Sequence, residues 1–316
     1  MKGQMPKSGT IKFSKGMVVE GVNLELDNLY YQVKDDKVSE GTKEKVKSYS
    51  DYITKVSDSD NDGKISPGDE YTYKVNATDT FTFYVLSIEG DKVNLIMDRN
   101  ICNDGSITYT STNNYCRYAW ESNNVNGNGP IDAMTALGNG TRNWNNVPNM
   151  NLEYNDTENS NTGTYGYTGI IITDGVGYIT KKDGTTQTPI TLTDNMPIKA
   201  RLPKLKEITE AGCHIFNSST SSQDYGTCPV WLMGNMAYYD VSSYAGSGNT
   251  DKYSMNNNNE AYQNQIYGYW LLSSYPGHSD RARGVYYRGY VRNYYANNTG
   301  IYGVRAVITI SKSDLS

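Results

Sequence analysis

Residues 271–310 read LLSSYPGHSDRARGVYYRGYVRNYYANNTGIYGVRAVITI, and this stretch decides how the rest of the chain is interpreted. Tyr, Arg, Ser and Asn are interleaved with small or apolar residues before the stretch closes on an apolar strand. Lys, Glu, Gln, Met and Trp are absent from it, although Lys is more common than Arg in the whole chain. The pattern predicts strands whose apolar residues pack on the protein and whose Tyr and Arg form a binding surface.

The predicted surface divides the last strands into two sets of residues. Those expected to face the interior are small or apolar: Val285, Gly289, Val291, Ala296, Gly303, Val304 and Val307. Tyr and Arg offer a large contact area with few rotatable bonds, as in antibody paratopes and interface hot spots. The alternative is a solvated β-surface in which Tyr is a good strand former. The predicted ligand contacts are Tyr275, His278, Ser279, Asp280, Arg281, Arg283, Tyr286, Tyr287, Arg288, Tyr290, Arg292, Tyr294, Tyr295, Asn297 and Asn298.

Composition limits the function classes open to the 316 residues, which fit two domains or one large β-rich domain. A net charge of −5 argues against a nucleic-acid binder. No apolar run reaches the roughly 18 residues needed to span a bilayer, so no membrane segment is expected. The sequence opens on polar residues without a signal peptide.

The four cysteines fall into two local pairs, Cys102 with Cys116 and Cys213 with Cys228. Neither pair has metal-ligand spacing, and the chain has only two His, which argues against a zinc site. Two disulfides in an extracellular protein are therefore predicted. Four buried free thiols are the alternative.

Alternating apolar residues predict mostly strands. The sequence around Gly90-Asp91 and around 182–184 predicts hairpins, and strands are expected near Ile11 and over residues 22–26. Short helices are predicted at 130–137 and after Pro203, whereas residues 40–56 are undecided between helix and strand. The prediction is a mostly β, α+β chain with two short helices and long ordered loops. It divides into an N-terminal β region (1–57), a linker (58–69) and a ligand-binding domain (70–316).

The linker Asp58-Ser-Asp-Asn-Asp-Gly-Lys-Ile-Ser-Pro-Gly-Asp69 matches a calcium-loop template at positions 1, 3, 5, 6 and 12. Alternating carboxylates on a tight turn supply the oxygen ligands that calcium needs. The chain is therefore expected to bind structural Ca2+, and the alternative is an acidic, solvated turn. The predicted ligands are Asp58, Asp60, Asp62, Lys64 through its carbonyl, and Asp69.

Catalysis is not expected from this sequence. It has no nucleophile elbow, zinc-protease, phosphate-loop or dinucleotide motif. His214 follows Cys213 and is expected to pack beside a disulfide, and His278 lies among the predicted ligand contacts.

GYWLLSS, followed by a variable stretch and ending in GVRAVITI, resembles the C-terminus of the C-type lectin fold of bacterial and phage surface proteins. That branch includes formylglycine-generating enzymes and the variable proteins of diversity-generating retroelements. ALGNGTRNWNNVPNM, ARLPKLKEI and CPVWLMGNM resemble upstream parts, so the resemblance covers about residues 69–310 and implies a C-type lectin-like domain. Ala306 departs from the Pro that the family often has in its closing GVRP. The enzyme's cysteine chemistry is not implied, because 271–310 contains no Cys. The N-terminus is similar to a type IV pilin-like ectodomain. Together these resemblances imply an extracellular, bacterial cell-surface protein whose membrane anchor lies outside this sequence.

The amino acids of 271–310 favour the retroelement resemblance. Adenine-directed mutagenesis of Asn codons gives Tyr, Ser, Arg, His, Asp, Gly and Asn, but never the five residues missing there. The resemblance implies an adhesin-like, receptor-type protein presenting a diversified site to a protein or other macromolecule on a cell or phage. A sugar ligand is less favoured, because no calcium-chelating carboxylate pair is evident in the region. The alternative is a structural pilin or surface-layer subunit whose Tyr-rich face contacts other pilus subunits.

Overall fold

A computed structural model describes residues 8–12, 30–34, 37–40, 48–108, 111–156, 165–216, 226–234 and 268–315. The chain divides into two units, Met1–Ser48 and Tyr49–Ser316. The smaller unit contains an antiparallel sheet of β1 (Ser8–Lys12), β2 (Tyr30–Lys34) and β3 (Lys37–Glu40). This agrees with the strand predicted near Ile11, whereas the strand predicted over 22–26 lies outside the described residues.

The described residues of the larger unit form three sheets. In chain order the strands are β4 (Ile53–Ser57), β5 (Glu70–Lys74), β6 (Thr80–Glu89), β7 (Lys92–Met97), β8 (Leu152–Asn155), β9 (Gly169–Thr173), β10 (Val176–Thr180), β11 (Gln187–Pro189), β12 (Gly268–Ser274), β13 (Arg281–Tyr286), β14 (Tyr290–Tyr295), β15 (Tyr302–Gly303) and β16 (Val307–Ser311). The sheet orders are β16-β7-β6-β5-β4, β11-β10-β9-β8 and β14-β13-β12-β15. The chain is therefore mostly β, as predicted.

The first sheet corrects the predicted domain boundary. β4 pairs antiparallel with β5, with Ile53 opposite Tyr73, so residues 49–57 belong to the larger unit. The boundary lies after Ser48, and the predicted linker 58–69 is a loop joining two neighbouring strands of one sheet. β6 and β7 form the predicted hairpin across Gly90-Asp91. β9, β10 and β11 include the hairpin predicted around 182–184.

Three α-helices lie in the described part of the larger unit: α1 (Ile131–Thr141), α2 (Leu205–Glu210) and α3 (Val230–Met233). The first two confirm the predicted helices. α1 buries Ala133, Met134 and Leu137, because residues three and four apart share one helix face. α2 starts after Pro203, where the Glu207 carboxylate accepts a hydrogen bond from the backbone N–H of Lys204 at 2.8 Å. Within the described ranges, no helix combines the length and apolar character needed to cross a membrane.

β12 is buried along its whole length, because its alternating side chains enter two hydrophobic cores. Trp270 and Leu272 join the larger core, and Tyr269 and Leu271 join the smaller one. β12 pairs antiparallel with β13, which pairs with β14. A fully buried central strand therefore holds the hairpin that carries most of the predicted binding surface.

Candidate functional site

The β13–β14 hairpin distributes the predicted ligand contacts over two faces. In its register, Arg281 is opposite Tyr295, Arg283 opposite Asn293 and Val285 opposite Val291, and these six residues define the Arg281 face. The intervening pairs define the Tyr286 face. Side chains alternate across a strand, so the two sets point in opposite directions. The contacts expected on one surface are thus divided between two. The Tyr286 face consists of Ala282, Gly284, Tyr286, Tyr290, Arg292 and Tyr294.

The Arg281 face is buried at one end and partly open at the other. Val285 and Val291 lie in the smaller core, as predicted for apolar positions. Tyr295 at the open end is 46% exposed. Arg283 is only 8% exposed, so the expectation that it stands at the surface is wrong. The pleat turns Arg283 toward the same side as the core residue Val285.

The Tyr286 face packs on Tyr302, a fully buried ring beneath the hairpin. Gly284 permits this approach, because a Cβ there would lie 2.8 Å from the Tyr302 ring. Tyr290 is 1% exposed and stacks on Phe216 with ring centroids 5.0 Å apart. The expectation that Tyr290 is an exposed contact is therefore wrong, because the Phe216 ring covers it.

Two ends of the hairpin remain accessible. At one end, Tyr287 and Arg288 are half-buried in a turn that closes with the Gly289 N–H donating to the Tyr286 carbonyl at 2.9 Å. Gly289 has a φ of 70°, which glycine adopts without strain. The other end brings together residues 275–280 and the end of β14. Its exposed or half-buried members are Tyr275, His278, Ser279, Asp280, Arg281, Tyr295, Asn297 and Asn298.

Each arginine of the hairpin region lies over a tyrosine ring. Guanidinium carbon to ring centroid distances are 4.8 Å for Arg281 over Tyr295, 5.1 Å for Arg283 over Tyr275, 5.5 Å for Arg288 over Tyr287 and 5.2 Å for Arg292 over Tyr286. Cation–π contacts of this length restrict both side chains before any ligand arrives. Two of the pairs, Arg281 with Tyr295 and Arg288 with Tyr287, lie at the two accessible ends, which are therefore largely ordered in advance.

Asn126 holds the loop at the open end, a role that no motif in the sequence indicates. The two hydrogens of its amide Nδ2 are shared among the carbonyls of Tyr275 at 3.0 Å, His278 at 2.6 Å and Arg281 at 2.9 Å. The backbone N–H of Asn126 donates to the Ser279 carbonyl at 2.7 Å. His278 stacks against Tyr275 at 5.9 Å on this fixed loop.

The disulfide Cys213–Cys228 holds the opposite end. Both predicted pairs are joined, with Cα atoms 4.8 Å apart for Cys102–Cys116 and 4.0 Å apart for Cys213–Cys228. The N–H of Cys228 donates to the Gly289 carbonyl, and the His214 carbonyl accepts from the Val291 N–H at 2.8 Å. The disulfide therefore links two segments that bond to the turn and to the outer edge of β14.

A buried carboxyl lies beside the open end and was not predicted. Asp156 is 4% exposed and accepts hydrogen bonds from the Ser274 N–H at 3.1 Å, from the Ser274 hydroxyl and from the Tyr154 hydroxyl at 3.2 Å. Burial raises the pKa of Asp156 to about 6, although these hydrogen bonds oppose the shift. Nothing in the Asn-rich sequence around it distinguishes this carboxyl.

The segment 58–69, called the aspartate loop below, brings some of its predicted calcium ligands together. Carboxylate oxygens of Asp58, Asp60 and Asp69 lie within 4.8 Å of one another. Asp62 is outside this group, and its carboxylate accepts from the Lys64 N–H at 2.7 Å. Asp69 is fully buried and accepts from the backbone of Ser59 and of Ser66.

The Lys55 ammonium lies among the predicted ligands. Its Nζ is 2.9 Å from Asp58 Oδ2, 3.1 Å from Asp69 Oδ2 and 3.1 Å from the Lys64 carbonyl. The hydrogen bond from Lys55 lowers the pKa of Asp58 to about 2. The oxygens suit a hard cation such as Ca2+, but binding would require Lys55 to move. Calcium binding stays a prediction.

No protein-family model, curated protein or solved structure matches this chain. The resemblance to C-type lectin fold proteins of diversity-generating retroelements therefore stays a prediction, as does the pilin-like N-terminus.

Proposed function

We propose that the chain is a secreted or surface-displayed binding protein. It contacts a protein or other macromolecule through the two accessible ends of the β13–β14 hairpin. The observation that carries the proposal is the arginine–tyrosine pair at each accessible end, Arg288 with Tyr287 and Arg281 with Tyr295. Such pairs combine large area, adaptable hydrogen bonding and little conformational entropy left to lose on binding. We do not assign a catalytic step to these residues.

Cell binding by flow cytometry tests the proposal, with labelled protein and a panel of bacterial and animal cells. One variant removes the turn contacts (Tyr287→Ala with Arg288→Ala), and a second removes exposed rings at the open end (His278→Ala with Tyr295→Ala). A matched control removes one cation and one exposed apolar side chain elsewhere (Lys206→Ala with Val176→Ala). We expect the affinity of at least one hairpin variant for the cells to fall by about tenfold or more, and that of the control to stay unchanged.

The tested side chains avoid the buried Tyr290, so the variants should keep the melting temperature of the wild type. Unchanged cell binding in both hairpin variants would refute the proposed surface. Sedimentation over a range of concentrations separates the alternative, self-assembly of a structural subunit. Self-association that the same substitutions abolish would favour that alternative.

A further inference from the structure

Arg283 is a buried cation that has no hydrogen-bond or ion-pair partner among the described residues. It is 8% exposed, and its Nε is enclosed with no hydrogen-bond partner. In the described part of the chain, no hydrogen bond or ion pair is formed by its guanidinium; its close contact is the Tyr275 ring, 5.1 Å away. A charge removed from water without a partner destabilises a fold. A bound anion would compensate this charge.

The surrounding charges leave Arg283 uncompensated. Asp156 exerts an electrostatic attraction on it, but that carboxyl is already hydrogen-bonded to Ser274 and Tyr154. Opposite Arg283 on β14 lies the neutral Asn293. Two residues away on the same face is a second guanidinium, that of Arg281, which donates to the Asn293 amide oxygen at 3.0 Å. Arg281 has a carboxylate of its own, with Nε 3.9 Å from Asp280 Oδ1, so the acidic groups near Arg283 already have other partners.

We propose that Arg283 is an anion subsite that takes a carboxylate from an acidic side chain of a protein ligand. The inference deepens the proposed function and rests on it. Because Nε is enclosed, the two Nη groups are the donors left for a ligand, and their paired N–H bonds match a planar carboxylate. Tyr275 thus holds the guanidinium plane, and the ligand's carboxylate fills the donor edge. Burial makes the resulting charge-assisted bonds stronger than they would be at an exposed site.

A peptide titration tests the subsite without the natural ligand. The probe is an acetylated, amidated peptide of alternating glutamate and glycine, and its neutral match has glutamine in place of glutamate. Isothermal titration compares the wild type with Arg283→Met, Arg283→Lys and the control Arg142→Gln. Arg142 donates to backbone carbonyls of Asn103 and Asn139, so its loss removes the same charge elsewhere. Sodium phosphate and sulfate are titrated separately.

We expect the wild type and Arg142→Gln to prefer the glutamate peptide at least tenfold. Arg283→Met should lose this preference, and Arg283→Lys should keep a smaller one because it has the charge but not the fork. Without peptide, Arg283→Met should melt at a higher temperature than the wild type, since it removes an unpaired buried charge. That rise is a result that a merely structural arginine would not give.

A wild-type protein without preference for glutamate, or a preference that survives in Arg283→Met, would overturn the subsite. Tighter binding of phosphate or sulfate than of the peptide would overturn the carboxylate assignment. Melting temperatures lowered in both Arg283 variants would show a structural role and also refute it. These failures are distinguishable from failure of the proposed function, because the cell-binding variants do not alter Arg283.

Discussion

Arg201 and Arg283 are both buried in the larger unit, at 2% and 8% exposure, but their surroundings differ. Arg201 donates through Nη1 to Glu207 Oε2 at 2.8 Å, and its Nη2 donates to the other carboxylate oxygen. Nη1 also donates to the Leu202 carbonyl. The Arg283 guanidinium has the Tyr275 ring beside it and, among the described residues, neither a hydrogen-bond nor an ion-pair partner. Burial alone therefore does not separate a structural arginine from one available to a ligand, whereas the inventory of partners does.

The largest change in the free energy of unfolding is expected when Arg201 loses its guanidinium. Arg201→Met leaves the Glu207 carboxylate buried without its cation, which typically costs about 3–5 kcal/mol. Urea unfolding followed by circular dichroism measures the loss in free energy of unfolding. Arg283→Met should instead raise the free energy of unfolding.

A double variant serves as the control. Arg201→Met with Glu207→Leu removes both charges and should recover part of the loss. Recovery stays incomplete because Glu207 also accepts from the Lys204 N–H and the Ser87 hydroxyl. A loss below about 1 kcal/mol in the single variant would contradict the structural role of the pair.

A second prediction sharpens the comparison at Asp156, the carboxyl that attracts Arg283. Its folded-state pKa of about 6 exceeds its unfolded value, so the folded state binds the proton more tightly. The contribution to stability is greatest below pH 4 and declines as the pH rises to about 6. The decline is up to about 3 kcal/mol at 1.4 kcal/mol per pKa unit.

The measurement is the difference in unfolding free energy between the wild type and Asp156→Asn, taken from pH 4 to pH 7. Because the variant does not titrate at this position, the difference isolates Asp156 from other carboxyls. The unfolding free energy of the wild type minus that of the variant should fall as the pH rises and level off above pH 6. A difference that is independent of pH would show that Asp156 has an ordinary pKa.

The smallest effect concerns a third cation, Lys55, which has protein partners but is partly exposed. If Ca2+ occupies the aspartate loop, it must displace the Lys55 ammonium from Asp58, Asp69 and the Lys64 carbonyl. Lys55→Met should then bind Ca2+ more tightly by about threefold, since exposed ion pairs are weak. Isothermal titration of chelator-treated protein with CaCl2 measures this change.

Lys64→Met is the matched control, because the Lys64 ammonium is 80% exposed and lies 3.4 Å from Asp62. It should change the affinity less than Lys55→Met does. Absence of Ca2+ binding in all three proteins would reject the calcium hypothesis and leave Lys55 as the permanent cation of the loop.

Local signals in the sequence were sufficient for much of the fold. The apolar spacing in 131–137 and the Gly90-Asp91 turn act over a few residues, so α1 and the β6–β7 hairpin were predictable. The cysteine pairs were predictable because the two members of each pair lie close together in the sequence. The end of the first unit was not, since β4 is assigned by its pairing with β5 across the aspartate loop.

The candidate site was predictable as a segment but not as a surface. Composition identified 271–310, yet the register of β13 and β14 decides which side chains share a face. Tyr290 is covered by Phe216, which is distant in sequence, and Asp156 meets Ser274 from 118 residues away. Contacts of this separation leave no periodic trace in the chain, so the burial of Tyr290 and the surroundings of Arg283 required the structure.

Asn126 fastens the loop 275–281 by its main-chain carbonyls and makes no use of the side chains at positions 275, 278 and 281. The anchor therefore tolerates almost any residue at those positions, provided the backbone path is kept. Substitutions at these positions would change the displayed side chains and leave the backbone of the loop in place. One amide can therefore hold the backbone of this loop whatever side chains the loop displays.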